Sequence, residues 1–245
     1  MLFRSDDIDE ATVAALDKLR ETYPDDPALK VGGVEVACGC EPARLERAVA
    51  LLDKHNWHVM VRATSEDDVH AALDAFEHAV SANPPPPRGR RFRIEDVDAI
   101  NPDDMTRLAQ LKVLTEPADP DDAAAGQPLW TALSDAGARV LLGSNWPATS
   151  LDPRGAIEEV AVADVPAHSS RSLRTLVDAY TSDAAYASYD EQRKGTLAPG
   201  MLADIVILSS DIFQSTPGVT KDTAVAVTIF DGKVVYQRPP SIASN

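Results

Sequence analysis

Hydrophobic positions along the chain switch repeatedly between two spacings, which predicts strands that alternate with helices. Short runs of apolar and β-branched residues predict strands at residues 29–37, 57–63, 91–96, 113–115 and 139–143. Apolar residues three or four positions apart predict helices at residues 6–22, 42–53, 66–80, from 102 onward and at 127–137. Strands and helices in this order indicate an α/β fold built on a parallel sheet.

The pattern changes after a further predicted helix at residues 172–180. Strands without intervening helices are predicted at residues 203–208, 225–230 and 233–236, and Asp231-Gly232 is a tight-turn pair between the last two. We therefore predict two parts, an α/β body at residues 1–194 and a β-rich segment at residues 195–245.

Composition narrows the classes of partner. The 245 residues include 39 Asp and Glu but only 23 Lys and Arg, which gives a formal net charge of −16 and argues against nucleic acid. No apolar run reaches the roughly 18 residues that a membrane span needs, so no membrane partner is expected. The start of the sequence turns acidic at Asp6-Asp7 and lacks the apolar stretch of a signal peptide, and Cys38 and Cys40 are too close in sequence for an easy disulfide. We expect a cytoplasmic location.

Several segments resemble one family when they are taken together and in order. They are Arg93-Ile94-Glu95 and the stretches at residues 142–147, 178–181, 195–204 and 228–236. They resemble the second half of amidohydrolases of the YtcJ-like branch, amidohydrolase family 3. The resemblance implies a metal-containing (β/α)8 TIM barrel beside a small β-sandwich, with hydrolysis of amide or related non-peptide C–N bonds by a metal-activated water. This chain is then expected to form a partial barrel, from the strand at Val34 to the strand at Leu141, and a C-terminal β-sandwich fragment.

The positions that correspond to the family's metal-binding residues are substituted here. Glu35 stands where the family has a lysine, Arg62 and Asp96 stand where it has histidines, and Asn145 stands where it has an aspartate. A shifted alignment would place Lys30 at the lysine position, but Gly32-Gly33-Val34 favours Glu35. A guanidinium has no lone pair to offer a metal ion. We therefore expect these four residues to be vestigial pocket positions, with no zinc and no other cofactor.

Three outcomes are open for Arg62. Its guanidinium can fill the former metal space and pair with Glu35 or Asp96, since buried charges persist only when paired. Alternatively, Glu35, Asp96, Cys38 and Cys40 form a new metal site, or the residues have diverged without contact. For the two cysteines alone, apolar packing is favoured over a redox role because redox pairs usually have two intervening residues.

Two functions from different classes fit these substitutions. One is a degenerate amidohydrolase-like protein, a pseudoenzyme that lacks metal-dependent catalysis and acts as a binding or assembly subunit. The alternative is an active amidohydrolase on C–N bonds, with acid–base work by Glu35, Glu95 or Asp96 in an altered site. The old pocket could also hold a small-molecule ligand without turnover. Open sheet edges predict a homodimer or completion by a complementary amidohydrolase half.

Overall fold

The structure is a computed structural model, and it describes residues 2–23, 30–38, 41–118, 129–144, 146, 150–163, 170–213 and 223–239. The chain divides into two compact units, Met1–Leu141 and Leu142–Asn245. The sequence analysis predicts a different division, after residue 194, between a partial barrel and a β-sandwich segment. That boundary stays a prediction.

The first unit is built on a sheet of six parallel strands that lie side by side in chain order. They are β1 (Leu2–Arg4), β2 (Gly33–Ala37), β3 (His58–Arg62), β4 (Arg93–Val97), β5 (Leu114–Pro117) and β6 (Arg139–Val140). The connecting helices are α1 (Glu10–Thr22), α2 (Pro42–Lys54), α3 (Glu66–Ala82), α4 (Pro102–Leu111) and α5 (Leu129–Asp135). Right-handed crossovers between sequential parallel strands place all the helices on one face of the sheet.

Local sequence signals fix where these helices begin. The side chains of Asp9, Ser65 and Asn101 each accept a hydrogen bond from a backbone N–H in the first turn of α1, α3 and α4. Pro42 and Pro102 occupy first-turn positions, where a missing N–H costs nothing.

The hydrophobic core of this unit lies between the helices and the face of the sheet that meets them. Val34, Val36, Val59, Val61 and Ile94 alternate along β2, β3 and β4 and are fully or almost fully buried. They meet the buried residues of α2 and α3, including Phe76, whose ring stacks on Phe92 at 4.4 Å. Because strand side chains alternate, the intervening residues occupy the opposite face, which we call the inner face.

Helix α1 is fixed to the unit by polar contacts around Asp17. One carboxylate oxygen of Asp17 accepts from the indole Nε1 of Trp57 at 2.9 Å and from Arg20, and the other lies 2.7 Å from Nδ1 of His55. The guanidinium of Arg20 also stacks over the Trp57 ring at 4.2 Å. His55 is the residue that follows α2, and His58 is the first residue of β3.

The sequence analysis missed one strand of the sheet. Residues Leu2–Arg4 pair in parallel with Glu35–Ala37, so the sheet starts one strand before the predicted beginning at Val34. Three residues are too few to show a period of two, and their partner lies more than thirty positions along the chain. The predicted helix at residues 6–22 is likewise shorter, because Ser5–Asp7 form a 3₁₀ turn before α1.

The described residues of the second unit form three helices and a small antiparallel sheet. The helices are α6 (Pro153–Ala163), which the sequence analysis did not predict, α7 (Ser170–Tyr180) and α8 (Ser182–Ala187). The strands are β7 (Ile205–Leu208), β8 (Val225–Phe230) and β9 (Lys233–Gln237), with β8 in the middle. The predicted turn at Asp231-Gly232 is confirmed, since both residues have the positive φ that a tight hairpin requires.

The sheet of the second unit leaves large apolar side chains exposed. They are Val206 and Ile207 on β7, Phe230 at the end of β8, and Val234, Val235 and Tyr236 on β9. None of the helices described above combines the length with the apolar character that crossing a membrane requires.

Candidate functional site

Three of the four predicted site residues come together at the carboxyl ends of neighbouring strands. Glu35 lies on β2, Arg62 is the last residue of β3, and Asp96 lies near the end of β4. This end of a parallel (β/α) sheet is where barrel enzymes place their reacting groups. The fourth residue, Asn145, lies outside the described residues.

Arg62 bridges the two acids. Its Nε atom lies 2.9 Å from Oε1 of Glu35 and 3.1 Å from Oδ2 of Asp96. The carboxylate side chains are 19% and 17% exposed, whereas that of Arg62 is 38% exposed. The hypothesis that Arg62 pairs with these acids is confirmed, and it contacts both rather than one.

Asp96 reaches Arg62 because β4 contains an irregularity. The pairing with β5 shifts by one residue between Ile94 and Val97, and Asp96 has a left-handed φ of 56°. In a regular strand, Asp96 would point away from the face that carries Glu95, which is the register partner of Arg62. A β-bulge of this kind redirects a side chain, and aspartate tolerates left-handed backbone better than most residues do.

A second charged cluster lies on the same inner face, one strand further along. Arg93 contacts Oε1 of Glu95 at 2.5 Å through Nε, and its Nη2 donates to Oε2 of Glu116 at 2.8 Å. Burial raises the pKa of Glu95 from 4.5 to about 7, and the neighbouring carboxylate of Glu116 adds to this shift against the opposing effect of Arg93. Glu95 is therefore a buried carboxyl group that exchanges its proton near neutral pH.

His58 lies at the opposite end of β3 and is also buried. Burial, together with the positive charge of Arg93, lowers the pKa of His58 from 6.5 to about 4. The imidazole is accordingly neutral at physiological pH.

A model of the amidohydrolase family matches residues 12–236. The chain belongs to the amidohydrolase family. Among curated relatives of this amidohydrolase-family chain, Protein LONG AFTER FAR-RED 3 of Arabidopsis thaliana is 30% identical over 229 residues, covering 83% of the chain and 38% of that protein. Putative amidohydrolase YtcJ of Bacillus subtilis (strain 168) is 23% identical over 244 residues, covering 90% of the chain and 44% of that protein. The chain thus spans less than half the length of these two relatives.

Solved amidohydrolase-superfamily structures share the fold. An adenosine deaminase from Xanthomonas campestris with bound zinc superposes with a TM-score of 0.68 at 17% identity, covering 92% of this chain and 56% of that one. Atrazine chlorohydrolase from Arthrobacter aurescens TC1, complexed with zinc, gives a TM-score of 0.65 at 15% identity, covering 95% and 56%. The neighbours are TIM-barrel proteins, so the predicted partial barrel with a small C-terminal sheet is confirmed.

The residues of this amidohydrolase-family site do not fit the metal that the family implies. A hydrolytic zinc ion needs neutral imidazoles, thiolates or carboxylates that converge on one point, with a position left for water. Here the point between Glu35 and Asp96 is filled by the guanidinium of Arg62, a permanent cation that offers no lone pair. Across the described residues, no three His, Cys, Asp or Glu side chains are grouped to hold a metal ion.

The sequence analysis offered an alternative metal site made of Glu35, Asp96, Cys38 and Cys40. The structure contradicts this site at Cys38 and does not test it at Cys40. The thiol of Cys38 donates to the backbone carbonyl of Asp68, at 3.6 Å, instead of joining Glu35 and Asp96. Cys40 lies outside the described residues. The preference for Glu35 over Lys30 at the family's lysine position stays a prediction; Lys30 lies three residues before β2, and Glu35 contacts Arg62.

Two residues of the inner face escaped the sequence analysis. Glu116 lies in a four-residue strand that ends in proline, and only its pairing with Arg93 gives it a role. Arg4 belongs to the missed strand β1, where it is exposed and in register with Ala37. The spacing of Arg93 and Glu95, two residues apart on a strand, was the signal that charge lines this face.

Proposed function

We propose that this chain is a degenerate amidohydrolase, which lacks metal-dependent catalysis and serves as a binding or assembly subunit. The contact of Arg62 with Glu35 and Asp96 carries the proposal. The family and the fold support an origin among hydrolases, whereas activity on C–N bonds is ancestral in this proposal.

The electrostatics of the three residues support the loss of metal chemistry. Arg62 neutralises one of the two carboxylates and stays charged at every pH that a protein experiences. A divalent ion at the same place would meet a fixed positive charge within a few ångströms. Arg62 also gives the two mostly buried acidic side chains a cationic partner.

The test is metal content measured together with turnover. The purified full chain is incubated with and without zinc, desalted, and analysed by inductively coupled plasma mass spectrometry and with a panel of amide and N-acyl substrates. We expect substoichiometric zinc and no zinc-dependent turnover. One tightly held zinc per chain with zinc-dependent hydrolysis would overturn the proposal.

An assembly role is supported by the strands at the open edges of the sheets. Among the described strands, β1 and β6 each have a single neighbour, and the small sheet exposes apolar residues on β7 and β9. Open edges and exposed apolar surface favour pairing with another polypeptide. The proposed partner is a second copy in a homodimer or a complementary amidohydrolase half.

Light scattering coupled to size-exclusion chromatography tests the homodimer across a hundredfold dilution. A dimer mass that persists, or that falls to a monomer mass on dilution, supports self-association, and a monomer at every concentration contradicts it. Affinity capture of the chain from its native host, followed by mass spectrometry, then tests the complementary half, and recovery of an amidohydrolase barrel segment supports it.

One observation favours a second candidate, an amidohydrolase that acts without metal. Glu95, with a pKa of about 7, could both donate and accept a proton beside Arg62 at the carboxyl end of the sheet. Zinc-independent turnover that is lost in Glu95→Gln but kept in Glu66→Gln, a glutamate in the first turn of α3, would favour this candidate. Absence of turnover with the whole panel leaves the binding or assembly role.

The compartment that we propose is the cytoplasm. The close spacing of Cys38 and Cys40 supports a reducing environment, because so close a pair seldom forms a disulfide. Fluorescence of the tagged chain in its native host tests this location.

A further inference from the structure

The Arg62 side chain is anchored through Nε, and the contacts described for it do not involve its two terminal nitrogens. Among the described residues, its hydrogen bond to Glu35 and its ion pair with Asp96 both run through Nε. The two terminal nitrogens, Nη1 and Nη2, lie on a side chain that is 38% exposed. A guanidinium fixed through Nε presents these nitrogens as a rigid pair of donors.

A second arginine lies on the same face, two strands away. Arg4 of β1 is in register with Ala37 of β2, and Ala37 is in register with Arg62 of β3. Partners in parallel register share a face of the sheet, and two strand spacings separate the two arginine Cα atoms by about 10 Å. The intervening residue has only a methyl group, so two arginine side chains of ordinary length can reach one ligand above it.

We infer that Arg4 and Arg62 form a binding site for a carboxylate-bearing small molecule at the carboxyl end of β1–β3. The inference rests on the proposed function, because it requires the space between Glu35 and Asp96 to hold Arg62 rather than a metal ion. Planar donor pairs of guanidinium groups match the two oxygens of a carboxylate. We call this the two-arginine site.

The charge count selects a carboxylate over a phosphate. Arg4 and Arg62 carry two positive charges, and Glu35 and Asp96 carry two negative charges, so the four residues are neutral together. A carboxylate adds one negative charge to this set, whereas a phosphate adds close to two beside two existing carboxylates. The acids orient Arg62 and at the same time disfavour the more highly charged anion.

The experiment is a titration of the full chain with propionate, followed by thermal shift and isothermal calorimetry at constant ionic strength. Propionamide is the neutral probe of the same shape, and inorganic phosphate is the competing anion. We expect saturable stabilisation by propionate and none by propionamide. No saturable propionate binding, or equal effects from propionamide or phosphate, overturns the two-arginine site.

Variants locate the binding. Arg4→Gln removes an exposed side chain that has no described partner, so the fold is expected to survive, and propionate affinity should fall about tenfold or more. Arg238→Gln, at an exposed arginine of the second unit, is the matched control and should leave affinity unchanged. Equal affinities in the two variants overturn the site. Arg62→Lys keeps the charge but loses the planar pair of donors, so it should also weaken binding.

Zinc separates failure of this inference from failure of the proposed function. If the chain binds neither zinc nor propionate, the two-arginine site is overturned and the proposed function stands. Propionate binding that requires added zinc and survives Arg4→Gln overturns both.

Discussion

Asp96 lies 3.1 Å from Nε of Arg62 even though its neighbour Glu95, not Asp96, is the register partner of Arg62. The contact depends on one left-handed residue in a strand. It brings a second carboxylate to a guanidinium that Glu35 already binds. The space between Glu35 and Asp96 is thus filled by an arrangement that needs both the Arg62 side chain and a local change of backbone at Asp96.

Replacing Arg62 by Gln should destabilise the fold by about 1–3 kcal/mol, because two mostly buried carboxylates lose their cation. The estimate stays at this level because the Arg62 side chain is more than a third exposed and is screened by water. Urea denaturation monitored by circular dichroism measures the change.

The control removes the charges together. Adding Glu35→Gln and Asp96→Asn to Arg62→Gln should recover part of the lost stability, since no unpaired charge remains. If the triple variant is less stable than Arg62→Gln alone, the pairing is not what the single substitution disrupts.

The left-handed backbone at residue 96 predicts that two substitutions of Asp96 differ in stability. Asp96→Asn loses the ion pair but keeps a residue that tolerates left-handed φ, whereas Asp96→Ala loses both advantages. Asp96→Ala should therefore be about 1 kcal/mol less stable than Asp96→Asn. Chemical denaturation of both proteins checks the order, and equal stabilities would argue against the left-handed conformation.

Among the ion pairs of the described residues, the one between Arg90 and Asp53 is the most buried. Arg90 donates from Nε and Nη2 to both carboxylate oxygens at 2.9 Å, and the side chains are 13% and 2% exposed. Arg90 also donates to the carbonyls of Asn83 and Pro84, so it fixes the start of the loop that follows α3. Arg90→Ala should cost about 3–5 kcal/mol, the range for breaking a buried pair.

An exposed pair supplies the comparison for Arg90. Arg44 and Glu41 are three residues apart on the surface, with Arg44 Nε 3.3 Å from the carboxylate. Arg44→Ala should change the free energy of unfolding by less than about 1 kcal/mol. Similar losses in the two variants, measured by urea denaturation, would contradict the role assigned to burial.

Glu95 and His58 should oppose each other in the pH dependence of stability. The pKa of Glu95 is raised to about 7, so its contribution is present below pH 4.5 and is lost as pH rises toward 7. The pKa of His58 is lowered to about 4, so its contribution is present above pH 6.5 and is lost as pH falls toward 4. Between about pH 4.5 and 6.5 the two slopes have opposite signs and largely cancel.

Single variants should expose each slope. In Glu95→Gln the free energy of unfolding should rise from pH 4.5 to 6.5 more steeply than in the parent chain, and in His58→Gln it should fall. Denaturation midpoints in urea across this range measure both. Slopes that match the parent in both variants would show that neither group titrates as its burial requires.

Many of the helices and strands could be predicted from the sequence, because they depend on the spacing of apolar residues within a short window. Periodic apolar positions set α2 and α3, and β-branched runs set β2 and β3, close to their observed bounds. β1 went unpredicted because its stability comes from pairing with β2, a contact that no short window contains. α6 also went unpredicted, although Ile157 and Val160 have helical spacing and are buried, because Pro153 and Gly155, both poor helix formers, stand in its first turn.

The contacts of the candidate site likewise fall into those that the sequence could predict and those that it could not. The meeting of Glu35 and Arg62 could be predicted from the alignment of two adjacent strands. That Asp96 also turns toward Arg62 depends on an extra residue in β4, and the pair of Arg93 with Glu116 depends on the register of β5. Both are properties of strand pairing, which residue types along the chain do not specify.

The contact between Arg62 and its two acids also constrains how this lineage can evolve. A mutation that removes the arginine leaves two anions side by side, and one that removes either acid weakens the anchoring of the arginine. Placing a metal ion there would need several coordinated changes, with less stable proteins at the intermediate steps. Under the proposed loss of metal chemistry, the substitution by arginine is therefore easier to make than to reverse.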